Sequence, residues 1–167
     1  AKLFGYPVFN ADNEVAKIYK KNKKCFNRLK KALPHYINSF PIKKSAVTSA
    51  IISHSKNLKK IVRIIHPEIQ KKMQTFIKKN KNEKFIVLDI PLLLENKINK
   101  KNDIIVFVEG KRKQINKKLK KKFKSNSKII KIFKKIQLPL EIKKKRSQFI
   151  VKNNFRNDSI KKNVKII

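Results

Sequence analysis

Phe85-Ile86-Val87-Leu88-Asp89 is four apolar residues in a row closed by a carboxylate, and it follows the polar stretch Lys81 to Lys84. An unbroken apolar run this short, with polar bounds, is the pattern of a strand buried on both faces of a parallel sheet. Ile104-Ile105-Val106-Phe107-Val108 repeats the pattern and stops at Glu109-Gly110, and Phe149-Ile150-Val151 is a shorter third run. Upstream, Tyr6-Pro7-Val8-Phe9 has the same character and ends at Asn10-Ala11-Asp12. Helical spacing fills the intervals, so the chain reads as α/β, a parallel-sheet core covered by helices.

The first helix carries Val15, Ile18 and Tyr19 on one face, with Asp12 or Asn13 as its expected cap. Cys25 to Leu33 form a second helix, stopped before Pro34, and Ser45 to Ser53 a third, with Val47, Ile51 and Ile52 spaced for one face. Leu58, Ile61, Val62 and Ile65 make a fourth stripe, predicted to end near His66. Pro67 then opens a fifth helix carrying Ile69, Met73, Phe76 and Ile77. These helices, uninterrupted by a strand from Asn13 to Asn80, form an insertion on the sheet. Lys111 to Lys135 and Leu138 to Arg146 read as lysine-rich helices. Ser159 to Ile167 reads as a closing helix, and Ala1 to Phe4 as the tail of one capped by Gly5.

A hydrophobic fraction of 40% is enough to build a core, and 167 residues suit one compact domain with small insertions. No run of about 18 apolar residues occurs, so no membrane-spanning helix is expected. Cys25 is the single cysteine, which excludes an internal disulfide and leads to the expectation of a cytoplasmic protein. In its Lys-rich helical setting Cys25 reads as structural. The net charge of +36 invites a nucleic-acid reading. However, Arg28, Arg63, Arg112, Arg146 and Arg156 are the only arginines among 46 basic residues, and readers of phosphates and bases favour the bidentate Arg fork. Lysines spread from Lys2 to Lys165 among Ile and Asn fit a compositional bias better than a dedicated patch. Nonspecific sticking to nucleic acid, weakened by salt, follows under either reading.

Open parallel sheets bind ligands at the carboxyl ends of their strands. Asn10-Ala11-Asp12, Asp89 to Glu95 and Glu109-Gly110 fall there. Asp12 has two readings, a base toward a substrate hydroxyl and a plain helix cap. Asp89 likewise reads as a strand-end acid of Walker-B type or as an ordinary polar terminator. His66, before a proline, reads either as a site residue or as a ring bonded to nearby backbone. His35 and His54 read as surface or cap residues.

The ordered motifs resemble those of the dephospho-coenzyme A kinases. Gly5 to Asp12 (GYPVFNAD) is similar to that family's GxxVxDAD segment, and His66-Pro67 to its HP motif. Phe85 to Glu95 (FIVLDIPLLLE) resembles its strand and PLLxE loop, Asp103 to Val108 its next strand, and Gln137 to Ile150 (QLPLEIKKKRSQFI) its lid and final strand. The resemblance covers nearly the whole chain, in order. It implies a P-loop nucleotide-kinase fold and transfer of the ATP γ-phosphate to the ribose 3'-hydroxyl of dephospho-coenzyme A, the last step of coenzyme A biosynthesis, with Mg2+ beside the ATP. It implies a sheet core of residues 1–12, 81–110 and 149–167, a coenzyme-binding helical insertion at 13–80 and a helical lid at 111–148. By the same resemblance Asp12 is the base, and His66, Pro91, Leu92, Leu93 and Glu95 line the acceptor pocket. Lys17, Lys122 and Gln137 are then lid or phosphate contacts. A basic nucleic-acid-binding protein and a non-catalytic coenzyme A-binding relative remain the alternatives.

The chain departs from the family's pattern in four places. Asn10 stands where the first Asp of DAD is expected, removing a charge near the metal. Ala16 replaces a basic residue four positions after the base, with Lys17 beside it. Lys122 stands for a lid arginine. The family's first strand and its GxxGxGKS/T loop, whose amides and Lys cradle the ATP phosphates, have no counterpart here, where Gly5 and Gly110 are the only glycines. The expectation is a truncated frame, with unpaired strand edges where a central strand belongs. These 167 residues alone are therefore expected to transfer little or no phosphate. A coupled acceptor-phosphorylation assay checks this, and turnover near that of ordinary kinases overturns it.

Overall fold

A computed structural model describes residues 5–123 and 126–155. The chain divides into two compact units, Ala1–Pro91 and Leu92–Ile167. In the first, β1 (Val8–Asn10) leads into α1 (Ala11–Lys21), α2 (Lys23–Ala32), α3 (Lys44–Ser53) and α4 (Lys56–Lys79), and the chain returns as β2 (Val87–Asp89). β1 and β2 run parallel, with Val8 opposite Val87, Phe9 opposite Leu88 and Asn10 opposite Asp89. The strands end at one level, so Asn10 and Asp89 stand side by side. In the second unit β3 (Val106–Gly110) pairs in parallel with β4 (Phe149–Asn153), from Val106 opposite Phe149 to Gly110 opposite Asn153. Between them in sequence come α5 (Arg112–Lys122), α6 (Ser127–Lys135) and α7 (Leu140–Lys145).

Parallel pairing is what the apolar runs predict, but burial on both faces is not found. Phe85 is 48% exposed, Ile104 59% and Val108 56%. Burying a strand on both faces requires neighbours at both edges and a layer on each side. Each sheet here has two strands among the described residues. The expected helices at Ala1–Phe4 and Ser159–Ile167 lie outside the described residues. Gly5, predicted to take the left-handed conformation, has φ 74°.

The core of the first unit is built on α4, against which α1, α2 and α3 each pack. Ile18, Cys25, Leu29 and Ile37 are sealed, and Ile61, Ile64, Ile65, Ile69 and Met73 supply the α4 stripe. Each such side chain contributes about 1.5–3 kcal/mol by leaving water. Cys25 is structural as expected, and burial pushes its thiol up. Asn57 is the buried polar side chain of this core, and its Nδ2 donates to the Ala50 carbonyl at 2.9 Å.

Two expectations are corrected. The predicted break at His66-Pro67 is absent, because α4 runs unbroken from Lys56 to Lys79 with Pro67 inside it. Pro67 removes one helical hydrogen bond. The stripe Ile61, Ile65, Ile69, Met73 keeps i, i+4 register straight across it, and the burial of those four side chains outweighs the lost bond. Val62, assigned to the apolar face, is 43% exposed, and Ile64 takes the inward position instead. Pro67→Ala restores the missing donor, worth about 3 kcal/mol in helix propensity. It also returns about 1 kcal/mol of entropy to the unfolded chain. A net gain of about 2 kcal/mol in urea-unfolding free energy is expected. An unchanged or lower midpoint shows that the helix has adapted to the proline.

Candidate active site

The carboxyl ends of β1 and β2 are joined through one side chain. Asn10 Nδ2 donates to Asp89 Oδ2 at 2.5 Å, and Asn10 Oδ1 accepts the Asn13 N–H at 2.8 Å. The N-cap of α1 is therefore Asn10, in extended conformation, and neither Asp12 nor Asn13 as the sequence suggested. The physical reason is the three-residue offset, which lets the Asn10 amide oxygen reach an N–H of the first turn. An amide serves both ends of this bridge. A carboxylate at position 10 can cap the helix equally well but meets the Asp89 carboxylate with like charge.

Asn10, Asn13, Glu14 and Lys17 recur at i, i+3, i+4 and i+7, one face of α1. With Val8, Phe9, Phe76 and Asp89 they line a cavity of about 770 Å3. Phe9 and Phe76 give it an aromatic side, their ring centroids 5.6 Å apart. Glu14 is held by Lys17 Nζ at 2.6 Å and Lys72 Nζ at 3.2 Å. Burial pushes the Glu14 carboxyl up, but the two ammoniums outweigh it and hold the group below the ordinary range. The result is an open cavity offering two amides, one lysine and two carboxylates, Glu14 and Asp89, a set that can both donate to and accept from polar groups.

Of the expected site residues in the first unit, Lys17 lines this cavity. Asp12 is exposed on the first turn of α1, off the lining face. His66 is half-buried within α4, and Pro91 is exposed after β2. His54 takes the cap role expected of it, its Nδ1 accepting the Lys56 N–H at 3.1 Å. Asn13, Glu14 and Lys72 were missed by the sequence reading. The helical spacing from Asn10 was the available signal for the first two, whereas Lys72 arrives from α4 by tertiary packing.

In the second unit Leu92 and Leu93 are half-buried and begin a compact turn that ends at Lys97. Leu92 (φ 57°) and Lys97 (φ 51°) are left-handed, which is costly for residues bearing a Cβ and persists only where surroundings enforce it. Glu95 lies between them. It accepts the Leu138 N–H at 2.9 Å and Lys143 Nζ at 2.6 Å. Burial pushes its carboxyl up, but the Lys143 ammonium and the Leu138 amide prevail and hold it low. Lys122 is the exposed last residue of α5, its ammonium 5.8 Å from the Phe123 ring centroid. Gln137 is exposed between α6 and α7, next to the residue that Glu95 grips. Among the described residues no cluster of three His, Cys, Asp or Glu side chains is arranged to hold a metal. No described helix is long and apolar enough to cross a membrane.

The family model described as CoaE, dephospho-CoA kinase, matches residues 1–159. The chain belongs to the dephospho-CoA kinase family. It is 29% identical over 170 residues to the dephospho-CoA kinase of Wolbachia pipientis wMel, covering 98% of this chain and 85% of that protein. Its likeness to the dephospho-CoA kinase of Bartonella quintana (strain Toulouse) is 30% over 152 residues, covering 90% and 77%. In fold it is similar to TT1252 from Thermus thermophilus, with a TM-score of 0.73 at 20% identity, covering 99% of this chain and 84% of that one. Dephospho-CoA kinase from Campylobacter jejuni has a TM-score of 0.64 at 19% identity, covering 99% and 85%. A chain of the dephospho-CoA kinase family thus carries Asn10 bonded to Asp89 at its paired strand ends.

Asn10→Ala removes both the cap and the partner of Asp89 and is expected to lower the unfolding free energy by about 1–2 kcal/mol. Asn10→Ser keeps a capping oxygen and is expected to recover about half of that loss. Urea unfolding measures both, and equal losses for the two variants show that the cap contributes nothing.

Proposed function

We propose that this chain serves phosphoryl transfer from ATP to the ribose 3'-hydroxyl of dephospho-coenzyme A, with the acceptor held by the residues that surround the ends of β1 and β2. Membership of the dephospho-CoA kinase family across residues 1–159 carries the reading. The polar donor set at paired parallel strand ends, the place where such sheets bind ligands, supports it.

In this reading residues 1–12, 81–110 and 149–167 are the sheet core, 13–80 the coenzyme-binding insertion and 111–148 the lid. Asp12 accepts the proton of the 3'-hydroxyl as oxygen attacks phosphorus, standing two residues past the end of β1. Lys17, on the cavity-lining face of α1, neutralises phosphate charge near the acceptor. His66, Pro91, Leu92 and Leu93 belong to the acceptor pocket, and Lys122 and Gln137 to the phosphate-facing side of the lid. Mg2+ is held in such sites by one or two carboxylates together with phosphate oxygens, so the lack of a three-residue cluster among the described residues does not conflict with it. Asp89, at the end of β2 and lining the cavity, is the strand-end carboxylate that would hold it. When bound, the ion neutralises charge on the transferred phosphoryl group. Orientation and charge neutralisation are then the protein's main contributions, since the chemistry itself needs little covalent help.

Calorimetric titration with dephospho-coenzyme A tests the acceptor half, with saturable binding weakened about tenfold or more in Lys17→Ala as the expected outcome. No binding of dephospho-coenzyme A, together with tight sequence-tolerant RNA binding, overturns the reading in favour of a basic nucleic-acid-binding protein. Asp12→Asn is expected to leave that affinity within about twofold, since a base that acts only on the reacting hydroxyl contributes little to ground-state binding.

A further inference from the structure

The segment from Lys111 to Gln137, which holds α5 and α6, is gripped at both of its roots by carboxylates that meet neighbouring lysines of α7. Just before it, Glu109 of β3 pairs with Lys144 Nζ at 2.7 Å. Just after it, Glu95 accepts the Leu138 N–H at 2.9 Å and pairs with Lys143 Nζ at 2.6 Å. Lys143 and Lys144 stand about 100° apart on the helix, so α7 reaches two carboxylates at once.

The two grips differ in kind. The Glu95 and Lys143 side chains are only 9% and 16% exposed, whereas those of Glu109 and Lys144 are 36% and 30% exposed. A pair withdrawn from water is costly to break, because either partner alone is left as a buried charge. The more exposed pair is screened by salt and contributes less. The Glu95 grip also has a built mount. Its turn carries two left-handed residues, Leu92 and Lys97, and is anchored by Leu94, which is 8% exposed. Bonds from Asn96 N–H to Leu92 O at 3.0 Å and from Ile98 N–H to Leu93 O at 3.1 Å close it. Strained backbone that presents one carboxylate to a backbone N–H and an ammonium is the construction expected of a positioning device.

We propose that Glu95 is a positioning residue which, with Lys143, fixes the exit root of segment 111–137, while Glu109 and Lys144 form a weaker grip at its entry. The strong grip sets the orientation of the segment, and the weak one lets the entry side give way when the segment moves. This role depends on the kinase reading only in its consequence for the lid. The contacts themselves hold whatever the acceptor is.

Hydrogen exchange read by mass spectrometry on the full 167-residue chain tests it without requiring turnover. Glu95→Ala and Lys143→Met are each expected to speed exchange across residues 111–145 by about tenfold or more, with peptides of α1 to α4 unchanged. Glu95→Gln keeps an oxygen for the Leu138 N–H and is expected to restore part of the protection. Lys144→Met is expected to have a smaller effect, which raised salt reproduces in the unaltered chain. Should Glu95→Ala fail to fold, Lys143→Met carries the test, because it leaves the carboxylate and its turn in place. Unchanged exchange of 111–145 in Lys143→Met overturns the proposal. So does a Glu95→Ala chain that loses dephospho-coenzyme A binding with exchange unaltered, since Glu95 is then an acceptor contact. Failure of the unaltered chain to bind dephospho-coenzyme A refutes the kinase reading but leaves the exchange result to decide the grip.

Discussion

Asn10 holds the end of one strand, the start of a helix and the end of the neighbouring strand with a single amide. Its oxygen satisfies an N–H that the first turn of α1 leaves without a helical partner, and its nitrogen donates to Asp89 across the parallel pair. Because β1 and β2 are only three residues long, their ladder alone gives little to fix their ends. The side-chain bridge locks the register at the level of the cavity that both strands line. It also aims the face of α1 that carries Asn13, Glu14 and Lys17 into the cavity. A carboxylate at position 10 forfeits this, since it cannot donate to Asp89.

A second constraint is the scarcity of negative charge. With 46 basic residues against 10 acidic ones, repulsion among lysines works against compactness, and several carboxylates are placed where they meet lysines or backbone donors. Glu14 gathers Lys17 and Lys72, Glu95 gathers Lys143 and Glu109 gathers Lys144. Asp103 accepts the Lys100 N–H at 2.8 Å. Glu14 and Glu95 are little exposed and sit where helices join other elements, so they contribute direction as well as energy.

The helices of the first unit show the hierarchy among these effects. Pro67 sits inside α4, where propensity alone would end the helix, yet the apolar stripe passes through in register and the core it completes prevails. In α7, by contrast, no residue is buried and the helix has six residues. Its position follows from ion pairs to Glu95 and Glu109 and from the bond to the Leu138 N–H. One helix is placed by hydrophobic area, the other by charge.

The sequence by itself determined the element types, their order and the family. Unbroken apolar runs ending in Asp89 and Gly110 specify parallel strands, since the burial such strands seek is written into composition. Ordered motifs marked Asp12, Lys17, His66 and the Pro91 to Glu95 loop as candidate site residues, and of these Lys17 is among the residues that line the cavity. Only the tertiary structure decided that Asn10 rather than Asp12 caps α1, that Pro67 lies within a helix and that Glu95 meets Lys143. Those outcomes depend on partners far apart in sequence. The carboxylate at 95 and the ammonium at 143 have no local signature, and their pairing exists only once the turn and α7 are brought within hydrogen-bond reach.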